Sequence, residues 1–292
     1  MESGSRALYG SSSTLQWIKM KNLGAGSNGV VELVEMINPA HMLVAVKTSP
    51  LSVSSLEREY RILEIFFDCP YVVQCYVQFP AFGRDNLILE YAQGGDLFDL
   101  IEKYGGRIPE SDVRCYTKMI LQGLSFVHRR GYVHCDIKPE NILVFPYQFG
   151  NRYNLKLADF GLAKEPGDDT WLTLERFRGT PAYMSPESVK NREITAALDI
   201  WSLGCVVVEM ITGERPWESS VDINDLDSLA TRIAWSRDIP DIPRNMSPDG
   251  RDFLMKCFAR DLRERWTADR LMTHPFLTFD NKRSICKRYE LF

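Results

Sequence analysis

The sequence lacks the features that mark membrane, secreted and nucleic-acid-binding proteins. Its most apolar run, LGCVVVEMI, is short and contains Glu209, which argues against a membrane span. Its seven cysteines form an odd set without a C-x-x-C pair, which fits neither a disulfide framework nor a zinc site. The formal net charge is only −4, and such mild acidity argues against nucleic acid as a partner. Because MESGSRALYGSSST has no secretory apolar core, we expect a soluble protein of a reducing compartment, the cytoplasm and also the nucleus.

The length favours one domain of two unequal lobes, because 292 residues exceed a usual single domain but fall short of two large ones. Residues 1–14 are rich in Ser and Gly, and they predict a flexible tail outside the fold. Residues 15–91 and 92–280 are the predicted lobes, with Gly94 and Gly95 as the hinge. Residues 281–292 are predicted to be a second tail.

The first lobe is expected to be a small antiparallel sheet with one helix. The apolar, β-branched runs WIKM, VVELVEM and LVAVK are separated by turn-rich stretches, which is typical of strands. The segment SSLEREYRILEIFF then changes to helical spacing. Its predicted apolar stripe consists of Leu56, Tyr60, Leu63 and Phe67. Ser54 and Glu57 have the spacing of a capping box at the start of this helix.

The second lobe is expected to be mainly helical. A long helix is predicted to begin near Pro109. Its apolar face consists of Val113, Tyr116, Ile120, Leu124 and Val127. Two further apolar helices run through DIWSLGCVVVEMI, ending at Gly213, and through RDFLMKCF. The predicted fold class is therefore α+β.

Glycines are concentrated between the first two predicted strands. Without side chains, Gly24, Gly26 and Gly29 would let backbone N–H groups approach phosphate oxygens closely. A hairpin turn without a ligand is the alternative interpretation. The strand that follows these glycines, where a dinucleotide-binding unit would have a helix, argues against a Rossmann domain.

A lysine and a glutamate of the first lobe are predicted to pair. Lys47 ends the strand VAVK, where a lysine is by default a solvated surface residue. Glu59, however, falls with Leu56 and Leu63 on the apolar stripe of the helix. An unpaired carboxylate there would cost about 3–5 kcal/mol. Glu59 therefore needs a cation, and Lys47 is the candidate.

Polar side chains are concentrated in the segment HCDIKPEN, directly after the long helix. Asp136, Lys138 and Asn141 there offer a base, a cation for phosphate and an oxygen ligand for a hard metal ion. The segment LKLADFG then places Asp159 at the end of an apolar strand, where its carboxylate is a candidate Mg²⁺ ligand. This density of polar groups is hard to explain as packing.

These motifs, in this order, resemble those of eukaryotic protein kinases. Residues 24–31 are similar to the Gly-rich loop, residues 44–47 to the strand-3 lysine motif, and residues 134–141 to the catalytic loop. Residues 159–161 are similar to the D-F-G triplet, and residues 185–187 to the A-P-E triplet. The resemblance covers residues 17–279. It implies the bilobal protein-kinase fold, with ATP and Mg²⁺ as cofactors.

The resemblance assigns a catalytic role to each candidate residue. Lys47, held by Glu59, is expected to orient the α- and β-phosphates of ATP. Asp136 is expected to accept the proton of the substrate hydroxyl, and Lys138 to steady the γ-phosphate. Asp159 and Asn141 are expected to hold Mg²⁺.

The resemblance also implies residues that bind the rest of the nucleotide. The residues assigned to adenine and the hinge are Val31, Ala45, Leu89, Glu90, Ala92 and Leu143. Leu89 is the expected gatekeeper before the hinge, and Asp96 is assigned to the ribose. Most of the apolar positions are equally compatible with an ordinary core.

Further motifs indicate the kind of kinase. Lys138 in DIKPEN and Thr180 in GTPAYMSPE resemble serine/threonine kinases, and Glu187 with Arg265 resembles the structural ion pair of the family. The segments GYVHCDIKPENILVF, EYAQGGDL and GERPW resemble plant MEKK-type mitogen-activated protein kinase kinase kinases. This implies a MAP kinase kinase as the protein substrate, and we expect a monomer. A pseudokinase scaffold and a small-molecule phosphotransferase are the alternatives.

One residue departs from the family pattern. Position 135, before the catalytic aspartate, is Cys135 where relatives usually have an arginine that pairs with a phosphorylated loop residue. A phosphate on Thr170 or Thr173 would therefore lack its usual partner. Arg176 and Arg178 are candidate substitutes.

Overall fold

The computed structural model describes residues 8–12, 15–26, 29–38, 42–50, 55–81, 83–147, 153–168 and 178–278. The chain divides into two compact units. The first unit comprises Met1–Gln93 and Ala158–Gly161, and the second comprises Gly94–Leu157 and Leu162–Phe292. The Asp-Phe-Gly triplet therefore belongs to the first unit, although the residues on either side of Ala158–Gly161 belong to the second.

The first unit contains an antiparallel sheet of six strands in the order β1-β2-β3-β4-β6-β5. The strands are β1 (Leu8–Ser12), β2 (Leu15–Gly26), β3 (Gly29–Asn38), β4 (Met42–Pro50), β5 (Cys75–Ala81) and β6 (Arg84–Glu90). The core of the sheet is a buried cluster of Trp17, Val34, Met36, Val44, Val46, Phe79 and Ile88. The strands predicted from WIKM, VVELVEM and LVAVK are confirmed, and each is longer than its apolar run.

The first strand lies where the sequence predicted a tail. Residues 1–14 were expected to lie outside the fold, whereas the structure pairs Leu8–Ser12 with β2. The strand has only five residues, and Leu8 and Tyr9 are its only large apolar ones. It therefore carries too little alternation to be recognised from the sequence.

Helix α1 (Ser55–Ile65) is the α-helix found among the described residues of the first unit. Leu56, Glu59 and Leu63 all lie on its buried side, as predicted from their spacing. Ser54, the first residue of the predicted capping box, lies outside the described residues.

The prediction that Phe67 belongs to the buried stripe of α1 is wrong. The helix has already ended, and the turn that follows it leaves Phe67 73% exposed while Phe66 is fully buried. The ring of Phe66 lies 5.4 Å from that of Phe160, measured between centroids. Helical spacing therefore failed where the backbone was no longer helical.

The second unit is mainly helical. Its helices are α2 (Leu97–Lys103), α3 (Glu110–Arg129), α4 (Pro186–Asn191), α5 (Ala196–Thr212), α6 (Leu226–Trp235), α7 (Pro248–Cys257) and α8 (Ala268–Leu271). A two-stranded antiparallel sheet pairs β7 (Ile142–Pro146) with β8 (Tyr153–Leu157). A sheet with one helix in the first unit and a mainly helical second unit confirm the predicted α+β class.

Helix α3 begins at Glu110, directly after Pro109, as predicted. Glu110 and Asp112 in its first turn carry negative charge where the helix dipole favours it. The residues of its predicted apolar face are all buried, namely Val113, Tyr116, Ile120, Leu124 and Val127. The helix leads directly into the segment that contains Asp136.

Helix α5 is buried from Leu198 to Ile211. It ends at Gly213, as predicted, whose φ of +75° is the left-handed conformation that favours glycine at a helix end. Although α5 is the most apolar segment, no helix in the described part of the chain has both the length and the apolar character to cross a bilayer.

A buried ion pair joins α4 to the segment before α8. Arg265 Nη1 donates to Glu187 Oε1 over 2.6 Å and to the carbonyl oxygen of Ala197 over 3.0 Å. The Arg265 guanidinium also lies 5.1 Å from the ring centre of Trp201. The ion pair implied by the family resemblance is therefore present, and its contacts are structural.

Candidate active site

The first unit buries a lysine between two carboxylates. Lys47 is 6% exposed on β4, and its ammonium donates to Glu59 Oε2 over 2.6 Å and to Asp159 Oδ1 over 2.9 Å. Glu59 is 1% exposed on the inner side of α1. The pairing of Lys47 with Glu59 that the sequence predicted is thus present. The roles of these residues towards a nucleotide stay predictions.

Burial and charge oppose each other in this cluster. Burial lowers the pKa of Lys47, but the Glu59 and Asp159 carboxylates outweigh it and raise the pKa above its ordinary value. Burial raises the pKa of the Glu59 carboxyl, and the Lys47 ammonium opposes that shift. With the ammonium 2.6 Å from the carboxylate, we assign the ionised state to the pair.

Asp159 adopts a backbone conformation that few residues tolerate. Its φ is +61°, in the left-handed region, where Asp is one of the better-tolerated residues. Its carboxylate is 31% exposed, in contrast to the buried Lys47 and Glu59. The next residue, Phe160, is fully buried against Phe66. The aromatic contact therefore anchors Asp159 beside Lys47 while leaving its carboxylate accessible.

The second unit fixes the predicted base by hydrogen bonds to both carboxylate oxygens. Asp136 Oδ1 accepts from the backbone N–H (2.9 Å) and the hydroxyl (2.7 Å) of Thr180. Asp136 Oδ2 accepts from Asn141 Nδ2 at 2.9 Å, and the ammonium of Lys138 lies 3.0 Å from it. Lys138 also donates to the Thr180 hydroxyl over 2.9 Å. Four predicted or family-derived residues thus converge within one unit.

The orientation of the Asn141 amide follows from its nitrogen. Nδ2 donates to the carbonyl oxygen of Asp136 over 2.8 Å as well as to its carboxylate. Because the nitrogen makes both bonds, the amide oxygen is the group through which Asn141 would bind a cation. This orientation agrees with its predicted role as a metal ligand.

A buried aspartate at the start of α5 positions the loop that carries Asp136. Asp199 is fully buried and accepts from the backbone N–H groups of His134 (2.8 Å) and Cys135 (2.9 Å). The ring of His128, at the end of α3, donates to the same carboxylate over 2.8 Å. The sequence patterns indicated a functional role for neither Asp199 nor His128. A charged residue inside an apolar helix was the signal, because a buried carboxylate needs donors.

The glycine-rich hairpin joins β2 to β3. Gly24 pairs with Val31 and Gly26 with Gly29, while residues 27 and 28 lie outside the described residues. Gly29 has a φ of +123°, and a Cβ there would lie 2.2 Å from the carbonyl oxygen of Thr48. Gly24 is different, because a Cβ there would meet no atom within 4 Å. Neither packing nor a left-handed backbone requires glycine at position 24. The open space there is compatible with the close approach of a ligand to the backbone.

The residues assigned to adenine fall into two groups. In the first unit, strand register places Val31 opposite Lys47 and Ala45 opposite Leu89. Glu90 ends β6, and Ala92 follows it two residues later. In the second unit, a β-bridge pairs Asp96 with Leu143.

Asp96 also begins α2 as its N-cap. Its carboxylate accepts from the backbone N–H of Asp99 over 2.9 Å. Burial raises the pKa of the Asp96 carboxyl to about 6. The Asp96 side chain can therefore cap α2, and its predicted contact with a ribose stays a prediction.

The side chains also fit a divalent cation that takes few ligands from the protein. Among the described residues no group of three His, Cys, Asp or Glu side chains could enclose a metal ion. Asp159 in the first unit and Asn141 in the second each offer a hard oxygen, the type of ligand that Mg²⁺ prefers.

Comparison with known proteins identifies the family. The family model for the protein kinase domain matches residues 17–277. The chain is 40% identical over 279 residues to mitogen-activated protein kinase kinase kinase 20 of Arabidopsis thaliana, covering 91% of this chain and 79% of that protein. It is 37% identical over 277 residues to kinase kinase kinase 18 of the same plant, covering 90% and 78%. It is 36% identical over 270 residues to kinase kinase kinase 17, covering 90% and 70%. The resemblance to plant kinases of this type is confirmed, and the chain therefore belongs to the protein kinase family as a serine/threonine protein kinase.

Proposed function

We propose that the chain transfers the γ-phosphoryl group of Mg-ATP to a serine or threonine hydroxyl of a MAP kinase kinase. The observation that carries this proposal is the fixed carboxylate of Asp136, with Lys138, Asn141 and Thr180 all bonded to it. The substrate class is supported by the names of the plant relatives, which are kinase kinase kinases.

The reaction is a displacement at phosphorus. The substrate hydroxyl oxygen forms a bond to the γ-phosphorus while the bond to the β–γ bridging oxygen breaks, and that oxygen leaves with the electron pair as ADP. Asp136 receives the hydroxyl proton. Because its carboxylate is held by four donors, the protein need not reorganise at the moment of reaction.

The phosphates are assigned to the charged residues of both units. Lys47, fixed by Glu59, supplies a buried cation for the α- and β-phosphates, and Lys138 supplies one for the γ-phosphate. Asp159 and Asn141 would hold Mg²⁺, which neutralises the phosphate charge when bound. Gly24 leaves the backbone accessible to phosphate oxygens.

The base and ribose are assigned to the remaining candidates. Val31, Ala45 and Leu89 offer apolar surface for adenine, and the backbone of Glu90 and Ala92 offers hydrogen bonds. Leu143 and Asp96 are the candidates in the second unit. Leu143 offers apolar surface for adenine, and the Asp96 carboxylate is an acceptor for ribose hydroxyls.

A pseudokinase scaffold is not favoured. Such a protein would be expected to lack at least one group needed for phosphoryl transfer. Lys47, Glu59, Asp136, Asn141 and Asp159 are all present, and each has charged or polar partners in the structure.

The proposal extends to the setting of the enzyme. We propose a monomer acting in the cytoplasm and also in the nucleus. Within the described residues no two of the six cysteines form a disulfide bond, which is compatible with a reducing compartment.

The test is an ATP-dependent assay against a panel of purified MAP kinase kinases, each made catalytically inactive so that only this chain can transfer phosphate. A general protein substrate in the same assay reports kinase activity regardless of specificity. We expect serine or threonine phosphorylation of at least one panel member, and none with Asp136→Asn or Asp159→Ala. Activity on the general substrate alone would refute the substrate class, and variants as active as the wild type would refute the catalytic assignment.

A further inference from the structure

One tryptophan of the second unit stands at the protein surface. Trp235, the last residue of α6, is 68% exposed, although the neighbouring Ile233 and Ala234 are buried. Trp201 and Trp217 of the same unit are both buried. A tryptophan carries a large apolar area, and this residue type is enriched at the centres of protein interfaces. Packing within the unit therefore does not explain the exposed indole of Trp235.

The backbone on both sides of Trp235 is fixed by one arginine. Arg260 Nη1 donates to the carbonyl oxygen of Ile233 over 3.1 Å, and its Nε donates to that of Asp238 over 3.0 Å. The side chain of Arg232 adds an ion pair of 3.1 Å to Asp238 Oδ2. The turn that carries Trp235 is therefore ordered before any partner binds. Binding to an ordered surface costs less conformational entropy than binding to a flexible one.

Two cations accompany the exposed indole. The ammonium of Lys190, near the end of α4, lies 4.5 Å from the centre of the Trp235 ring. Arg237, two residues after Trp235, is also exposed. In the described part of the chain neither cation has a carboxylate partner, and the acidic side chain of the turn, Asp238, is paired with Arg232. Trp235, Lys190 and Arg237 together are called the Trp235 surface below.

The charge of the Trp235 surface indicates the kind of partner that it fits. The whole chain has a formal net charge of −4, so the molecule as a whole repels an acidic partner. Lys190 and Arg237 attract such a partner locally, and this contrast favours one place of contact over the others. The open indole offers an apolar contact beside them. An acidic segment that carries an aromatic or aliphatic side chain matches both features.

We propose that the Trp235 surface is a docking site for an acidic segment of the MAP kinase kinase substrate, separate from the residue that receives the phosphate. The inference rests on the proposed function and deepens it, because it names a second contact with the same substrate. This contact acts on the affinity for the folded substrate and leaves the chemical step at Asp136 unchanged. The loop residues Thr170, Thr173 and Arg176 lie outside the described residues and are not part of this surface.

The first experiment compares two substrates, an inactive but folded MAP kinase kinase and a short peptide that contains only its phosphorylated residue and the neighbouring ones. We expect Trp235→Ala and Lys190→Glu each to raise the KM for the folded substrate about tenfold. The kcat and the KM for the peptide should stay within about twofold of wild type. Added salt should raise the wild-type KM for the folded substrate, and it should do so less in Lys190→Glu.

Two variants of the full chain are matched controls. Phe67→Ala removes another exposed aromatic ring, in the first unit, and Arg107→Glu reverses another exposed cation of the second unit. Both should keep the wild-type KM for the folded substrate. An unchanged KM in Trp235→Ala and Lys190→Glu overturns the proposal, as does an equal rise in the controls or for the peptide. If Trp235→Ala melts below the assay temperature, the exposed Lys190→Glu decides.

The second experiment does not depend on catalysis. A fluorescently labelled peptide of glutamates and aspartates around one phenylalanine is titrated with the full chain, and fluorescence anisotropy gives its Kd. We expect Trp235→Ala and Lys190→Glu each to raise this Kd about fivefold or more, and the two controls to leave it unchanged. Equal Kd values for all proteins overturn the proposal.

The two experiments separate failure of the docking site from failure of the proposed function. A wild type that phosphorylates no MAP kinase kinase contradicts the proposed function, and the docking of acidic segments still stands if peptide binding depends on Trp235. Light scattering of the wild type tests a second copy of the chain as the occupant. A dimer that Trp235→Ala abolishes would overturn the proposal in favour of self-association.

Discussion

Lys47 and Glu59 are both almost completely buried, which makes their ion pair expensive to break. A buried pair contributes little net stability compared with apolar residues, but removing one partner leaves an uncompensated charge. Asp159, the third member of the cluster, is 31% exposed and can be solvated if Lys47 is lost. The cost of losing Lys47 therefore falls mainly on Glu59.

Replacing Lys47 should have separable effects on stability and catalysis. We expect Lys47→Met to abolish turnover and to lower the free energy of unfolding by about 3–5 kcal/mol, because Glu59 loses its cation. The double variant Lys47→Met/Glu59→Met should recover most of that stability and no activity. Urea unfolding and a kinase assay measure the two effects.

The matched control is an exposed ion pair on the same sheet. Lys19 and Glu32 pair across β2 and β3, and their side chains are 35% and 26% exposed. Lys19→Met should cost only about 0–1 kcal/mol and leave turnover intact. A Lys47→Met protein as stable as its double variant would show that Glu59 does not need the lysine.

Asp96 should make nucleotide binding sensitive to pH. With a pKa of about 6, its carboxylate is ionised at pH 7.5 and becomes protonated as the pH falls through 6. Since the ionised form is the stronger acceptor for ribose hydroxyls, we expect the KM for ATP to rise in that window. Steady-state kinetics from pH 5 to 8 measure this rise.

The matched variant for this prediction is Asp96→Asn, whose KM for ATP should be higher and independent of pH.

The protonation of Asp96 should affect folding stability in the opposite direction to nucleotide binding. Because the folded pKa lies above the ordinary value of 3.8, the folded state binds more protons between pH 3.8 and about 6. The contribution of Asp96 to stability therefore falls as pH rises through that range. A flat KM for ATP in the wild type would remove Asp96 from the nucleotide site.

The hairpin between β2 and β3 contains two glycines, Gly24 and Gly29, that are expected to be there for different physical reasons. Gly29 is required by its own backbone and by the carbonyl of Thr48, so Gly29→Ala should cost about 1–3 kcal/mol of stability. Gly24 has open space around it, so Gly24→Ala should change stability by less than about 0.5 kcal/mol. We expect Gly24→Ala to raise the KM for ATP instead.

Melting temperatures and ATP kinetics of the two hairpin variants together test this distinction. A Gly24→Ala protein with unchanged KM for ATP would show that the open space is not used by the nucleotide. Equal destabilisation by both substitutions would contradict the structural reason for their difference.

Elements with strong periodicity could be predicted from the sequence, and weakly patterned ones could not. The alternating β-branched run of β4 and the apolar face of α3 carry their own signals. Strand β5 was missed, since CYVQFPA contains Pro80 and Phe79 is its one buried residue. It lies at an edge of the sheet, where a strand needs less apolar sequence than in the centre.

The site could be predicted where chemistry is concentrated in a short segment. Asp136, Lys138 and Asn141 lie close in sequence, and the structure joins them by direct bonds. The partners of Asp199 and Arg178 could not be derived, because both side chains bind distant backbone groups. Asp199 accepts from the N–H of Cys135, 64 residues away in the catalytic loop, and Arg178 donates to the carbonyl oxygens of Leu162 and Ala163, 16 and 15 residues away. Backbone acceptors and donors leave no trace in a sequence.

At the scale of the whole molecule, each unit is organised around its own charged cluster. The first unit surrounds the Lys47 ammonium with two carboxylates, and the second surrounds the Asp136 carboxylate with donors. The chain returns to the first unit for only Ala158–Gly161, the segment that carries Asp159. The residues proposed for Mg-ATP are thus divided between the two units.

Mg-ATP should stabilise the full chain in a way that depends on the proposed metal ligands Asp159 and Asn141. At 100 times its Kd, a ligand that binds only the folded state raises the free energy of unfolding by about 2.7 kcal/mol. We expect that gain with ATP and Mg²⁺, and a much smaller one when a chelator removes the metal. Asp159→Ala and Asn141→Ala should each respond to ATP equally with and without Mg²⁺. Asp261→Ala, at an exposed aspartate paired with Arg263, is the matched control and should behave as wild type. Full metal-dependent stabilisation of Asp159→Ala, measured by urea unfolding, would show that the cation is held by other residues.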